Sequence, residues 1–128
     1  ALHVHSSLES MQVSQAMRTA GIIRECVDLV QQATAVVMDV NSVSYNRLMS
    51  HIKYMAARLL KGERLSMDVN HIMQASCPRA FDISEEICRQ LERTLGRQVD
   101  EAEIGYLAMH VQRVFDTEGR TPSATQKQ

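Results

Sequence analysis

Apolar residues return along this chain at steps of three and four, the period of one face of an α-helix. Ile22, Ile23, Cys26, Val27, Val30, Ala33, Val37 and Met38 form the first stripe and predict a long helix from about Glu9 to Met38. Asn41 and Ser42 offer side chains that can cap the next helix. Its stripe of Tyr45, Leu48, Met49, Ile52, Met55, Ala56, Leu59 and Leu60 runs to Gly62, a residue suited to the left-handed position that ends a helix. A short helix over Met67 to Ala75 precedes Pro78, which fits the first turn of another helix. Ala80, Phe81, Ile83, Ile87, Cys88, Leu91 and Leu95 carry that helix to a second terminal glycine, Gly96. Asp100 and Glu103 stand three apart before an apolar run, a capping box with Asp in the place of Ser or Thr, and predict a last helix from about Glu101 to Phe115. No segment of useful length alternates like a strand, so the expected class is all-α, five helices joined by short loops. "DTEGRTPSATQKQ", from Asp116 onward, has no apolar periodicity and reads as a disordered tail.

Size and charge narrow the function classes. The chain has 128 residues, 45% of them hydrophobic, enough for one modest core. Fourteen basic against 15 acidic side chains leave a net charge of -1, which argues against an autonomous nucleic-acid binder. No apolar run is long enough to span a bilayer and no leader pattern opens the chain, so no membrane insertion is expected and the reading is a cytoplasmic protein. Cys26, Cys77 and Cys88 are odd in number, lack C-x-x-C spacing and lie in helical patterns, as free buried thiols would. The eight Met residues fall on the apolar stripes and are expected to fill the core. The chain begins Ala1-Leu2-His3 without an initiator methionine, which suggests an excised piece of something longer.

Candidate chemistry lies with the histidines. His51 precedes Arg58 by seven residues and His110 precedes Arg113 by three, so each of two helices can carry a His and an Arg on one side. One reading makes the rings phosphoryl acceptors, since a neutral imidazole nitrogen is a good nucleophile near pH 7 and Arg58 and Arg113 could hold the anion. A second has His51, His110 and an acid such as Glu103 bind a metal, but no H-E-x-x-H or paired E-x-x-H motif supports it. A third, acid–base catalysis, lacks a poised Ser, Cys or carboxylate, and no enzyme is expected. The bland alternative is that both are satisfied, semi-buried histidines of a bundle. His71 has no Arg one turn along and reads as solvent-facing or structural. No cofactor or metal is expected.

The ends of the chain echo one another: "ALHV" at residues 1–4 resembles "AMHV" at 108–111, so His3 and His110 correspond at about one domain length apart. Residues 1–8 would then be the remnant of a preceding similar domain, continuing the first helix or forming a linker. The domain proper would cover 9–115 and the tail 116–128.

Together "HIKYMAARLLKGE", "CPRAFDISEEICRQLERTLGRQV" and "DEAEIGYLAMHVQRV" resemble the PTS regulation domain (PRD) of bacterial antiterminators of the BglG, SacY, LicT and GlcT type, from about Met11 to Val114. The resemblance implies a five-helix PRD-type bundle of antiparallel helix pairs, the second such domain of its protein. It also implies regulatory histidines at His51 and His110, with His3 matching the preceding PRD. Expected partners are HPr or a sugar-specific EIIB as phosphoryl donor and a second copy in a homodimer. A leader RNA hairpin would be bound only through an absent N-terminal domain. Two alternatives stay open: a constitutive dimerisation module with structural histidines, and the PRD of a DNA-binding transcriptional activator.

Overall fold

A computed structural model describes residues 2–117, of which the side chains of 2–9, 11 and 12 lie outside the description. Five helices follow in order: α1 (Leu2–Thr34), α2 (Val43–Lys61), α3 (Asn70–Ser76), α4 (Pro78–Leu95) and α5 (Ala102–Thr117). The class is all-α, with no strand among the described residues. Residues 2–8 continue α1, one of the two expected arrangements for that stretch.

Helix boundaries follow local chemistry, with departures from the periodic pattern. First, α1 stops at Thr34, four residues short of Met38. The Thr34 hydroxyl donates back to the Val30 carbonyl at 2.7 Å, Ala35 takes a left-handed φ of 58°, and the Gln31 side chain accepts from the Met38 N–H. The β-branched pair Val36-Val37 gains little from continuing the helix. Val37 is consequently 89% exposed while Met38 folds back into the core. Second, the expected capping box at α5 does not form. The Asp100 carboxylate accepts from the Leu65 N–H and from Arg64, and Glu103 is held elsewhere. Third, α5 runs two residues beyond Phe115, and the Thr117 hydroxyl donates to the Arg113 carbonyl. The rest of the expected tail, 118–128, lies outside the described residues.

Helix α3 starts at Asn70, three residues after the expected Met67, while the ends of α2 and α4 form as the chain predicts. Ser42 caps α2, its hydroxyl accepting from the Tyr45 N–H, and Gly62 and Gly96 end α2 and α4 at φ 74° and 64°. Pro78 opens α4. Arg97 donates to the Leu59 and Leu60 carbonyls in the last turn of α2, the first of which also accepts from the Gly62 N–H.

The long helices pack in antiparallel pairs. Tyr45 of α2 lies near Val27 and Lys53 near Ala16, so α2 runs back along α1. Thr94 of α4 donates to Glu25 of α1, while Ile83 lies near Ala33. Arg79 at the start of α4 covers the Phe115 ring at the end of α5, and Arg89 further along bonds Glu101. Helix α5 is the common member and packs on α2, α3 and α4. Leu48, Ile52, Met55, Leu91, Ile104, Leu107, Val111 and Val114 fill the centre with Cys26, Val30 and Cys88. Met38, Met55 and Met73 are core residues, but Met17, Met67 and Met109 are exposed, so methionine is only partly core filler here. Cys26, Cys77 and Cys88 are free thiols; Cys77 is only half-buried, and burial pushes Cys26 up to about 12. Among the described residues no helix is long and apolar enough to cross a membrane.

Candidate functional site: a histidine cavity on the α2–α5 seam

Beside its core stripe α2 carries a second line of side chains, Arg47, His51, Tyr54 and Arg58, spaced four, three and four. Helix α5 carries Glu103, Tyr106, His110 and Arg113, spaced three, four and three. Each spacing keeps one helix face. Because the helices are antiparallel, the seven-residue step from His51 to Arg58 runs alongside the seven-residue step from Glu103 to His110. Like levels therefore meet: histidine with histidine, and about 10 Å further along, arginine with glutamate.

At the first level the rings of His51 and His110 stack with centroids 4.5 Å apart and planes 18° apart. Tyr106 stacks on His51 as well, at 4.6 Å. At the second level the Arg58 guanidinium grips Glu103 bidentately, Nε to Oε2 at 2.7 Å and Nη2 to Oε1 at 2.8 Å. The pair is well enclosed, with side-chain exposures of 18% for Arg58 and 4% for Glu103. The histidine level and Arg58 open into one cavity of about 490 Å³, lined by both histidines, Tyr54, Tyr106, Arg47, Arg58, Val43, Asn46 and Ser50, whereas Glu103 lines a separate cavity.

The electrostatics keep the imidazoles neutral. Burial lowers the His51 pKa to about 3, with further contributions from His110 and the Arg58 charge. His110 is lowered too, first by burial and then by Arg113 and Arg47. Enclosed His51 Nε2 and His110 Nδ1 have no hydrogen-bond partner. Two uncharged rings with lone pairs thus stand beside guanidinium groups, an arrangement suited to accepting an anionic electrophile such as a phosphoryl group.

The sequence-predicted residues separate at this point. His51 and His110 come together from two helices, and Arg58 lines their cavity, though its guanidinium is engaged by Glu103. Arg113 is exposed and does not line the cavity, acting on His110 only through its charge. Glu103, the acid of the metal reading, has both oxygens on Arg58. His71 is exposed. The His3 side chain lies outside the described residues. Arg47 and Tyr106 are additions that sequence reasoning missed; the E-x-x-Y-x-x-x-H spacing of α5, set against the H-x-x-x-x-x-x-R of α2, is the signal that could have found Tyr106.

A family model described as PRD domain matches residues 24–114. The chain belongs to the PRD domain family. The match begins within α1, two residues after the buried Ile22, and ends within α5, so it contains the whole histidine cavity. Relatives include the GlcA/glcB genes antiterminator of Staphylococcus carnosus, 28% identical over 87% of this chain and 39% of its own length. The PtsGHI operon antiterminator of Bacillus subtilis is 26% identical over 89% of this chain and 41% of its length. Protein GlcT of Staphylococcus saprophyticus is 29% identical over 87% of this chain and 40% of its length. This PRD spans about two fifths of the relatives it matches. No solved structure matches it. The relatives whose names state a role are antiterminators, regulators rather than enzymes.

Proposed function

We propose that this domain is the phosphorylation-controlled second PRD of a cytoplasmic sugar-operon antiterminator, and that His51 and His110 accept phosphoryl groups from HPr or a sugar-specific EIIB. The observation that carries the reading is the stack of two neutral, partner-free imidazoles opening on a cavity that also holds arginine. The lone pair of a ring nitrogen attacks phosphorus, the new P–N bond forms, and the donor's bond to phosphorus breaks with its electron pair returning to the donor. A ring protonated on both nitrogens has no lone pair to offer, so the lowered pKa values favour the acceptor state.

The phosphoryl group brings nearly two negative charges into a seam built around uncharged rings. Such a change shifts the packing of α2 against α5 and with it a homodimer, in which each modification counts twice. An N-terminal RNA-binding domain elsewhere in the protein would read the dimer at a leader hairpin. The names of the relatives support antitermination over a DNA-binding activator.

The test is incubation of the chain with enzyme I, HPr and phosphoenolpyruvate, followed by mapping of acid-labile phosphate. Label on His51 or His110 is expected. A domain that stays unlabelled on both, with donor shown to be charged, overturns the proposal and leaves the histidines a structural role.

A further inference from the structure

The Arg58–Glu103 pair has a consequence for the phosphoryl group itself, resting on the reading of His51 as a phosphoacceptor. Arg58 is the single residue that belongs to both levels of the seam: it lines the histidine cavity and it grips Glu103. Arg58 lines the same cavity as His51, and its charge acts on that ring. Glu103 does not line that cavity and stands seven residues before His110 on α5. Glu103 therefore offers Arg58 one anionic partner away from the rings, and a phosphoryl group on His51 would offer it another beside them.

We propose that Glu103 is a positioning residue that competes with the phosphoryl group of His51 for Arg58, so that modification makes Arg58 exchange one partner for the other. In the unmodified domain Nε and one Nη of the guanidinium bind Glu103, which keeps a cation from sitting unpaired against the enclosed neutral rings. When the P–N bond forms at His51, a dianion with three acceptor oxygens appears in the same cavity and outbids a monoanionic carboxylate. Arg58 turns to it. Glu103 is left in the first turn of α5, where the positive end of the helix favours a carboxylate. Arg47, exposed at the mouth and free to approach from the other end of α2, completes the cationic surround. The exchange couples the chemistry at one level of the seam to the contact that ties α2 to α5 at the other, and it explains why a buried ion pair stands there instead of apolar packing.

The experiment uses the full chain with His110→Ala, which leaves His51 as the sole acceptor in the cavity. Phosphoryl transfer from HPr is brought to equilibrium and the share of label on His51 is measured for Glu103→Gln and Arg58→Gln. Glu103→Gln removes the competing charge and is expected to raise the ratio of labelled to unlabelled His51 by roughly tenfold or more, the size of one charge-assisted hydrogen bond. Arg58→Gln lowers it, and the double variant matches Arg58→Gln alone. An unchanged or lowered ratio in a folded Glu103→Gln protein overturns the proposal. A second measurement needs no substitution at the pair: the 15N resonance of Arg58 Nε, held by Glu103, is expected to move when His51 is labelled and to couple to phosphorus. A resonance that stays in place in the labelled protein overturns the exchange while leaving the phosphoacceptor reading intact. Absence of label on His51 in every protein, wild type included, overturns the exchange together with the reading of His51 as a phosphoacceptor.

Discussion

His51 ties the stability of the domain to pH through a single proton. The folded ring binds its proton only near pH 3, whereas an unfolded histidine does so near 6.5. Between those values the unfolded chain holds one more proton than the folded one, so stability falls as pH drops below about 6.5 and levels off near the folded pKa. The slope is about 1.4 kcal/mol per pH unit for each proton. His110, lowered in the same direction, adds to it. Urea unfolding at pH 5 is therefore expected at a lower midpoint than at pH 7, and His51→Gln is expected to flatten that dependence. A wild-type midpoint that does not move across this window contradicts buried neutral rings. At this scale the sequence identified both histidines and placed Arg58 on the same face as His51, because helical spacing is enough for residues on one helix. It could not show that the two rings stack, since that contact depends on the register between α2 and α5. Glu103 was misread for a related reason. Its position three after Asp100 satisfies a local capping rule, but a buried guanidinium from another helix is a stronger partner than a backbone N–H that the first-turn contacts already serve.

Helix α5 begins with a device assembled between elements. Asn70, at the start of α3, donates from Nδ2 to the Glu101 carbonyl at 2.8 Å and accepts through Oδ1 from the Gly105 N–H at 2.8 Å. Its carboxamide thus bridges the first turn of α5. Glycine within a helix ordinarily costs stability, and its presence at 105 follows from this contact: a Cβ there would run into Asn70 Oδ1 and lie 2.9 Å from the Asn70 Cα. Gly105→Ala is expected to destabilise the domain by about 1–3 kcal/mol in urea unfolding, as overpacking does. Combining it with Asn70→Ala should cost less than the two separate losses added together, because the smaller side chain removes the atom struck first. Strict additivity would mean that the two residues do not meet. A second boundary works in the opposite sense. Ala35 is exposed and holds the left-handed conformation that glycine adopts freely. Ala35→Gly is expected to raise stability by about 0.5–1 kcal/mol, a gain seen as a higher urea midpoint. The end of α1 was illegible in the sequence because Val36, Val37 and Met38 continue the apolar spacing. Only the fold reveals that the Thr34 hydroxyl and the Gln31 side chain divert the chain before them.

Across the whole molecule, the helices that hold the core also decide from which side the histidines are approached. Leu48, Ile52 and Met55 of α2 and Ile104, Leu107 and Val111 of α5 are fully buried. They fix the seam from within, and the neighbouring stripes that carry the histidines are turned outward into the cavity. His51 is itself only 6% exposed, so a phosphoryl donor must reach it through the cavity mouth. That mouth is unusually apolar for a protein surface, with Val43 67% and Tyr54 63% exposed on α2 beside the exposed Arg47. An apolar rim around recessed neutral rings flanked by arginine suits the proposed donor, which delivers an anion. Tyr54→Asp places a negative charge on this rim and removes the ring that a donor would cover. Because Tyr54 is exposed and has no part in the stack of His51, His110 and Tyr106, the unfolding midpoint is expected to change by less than about 0.5 kcal/mol. The rate of phosphoryl transfer from HPr to His51 and His110 is expected to fall by roughly tenfold or more, as repulsion at a rim slows encounter and lost contact weakens the complex. Stopped-flow or quench measurements of transfer at several ionic strengths distinguish the two contributions, since salt restores only the electrostatic part. Transfer as fast in Tyr54→Asp as in the wild type would show that the donor enters by another face, and would require α2 and α5 to part before the histidines can be modified.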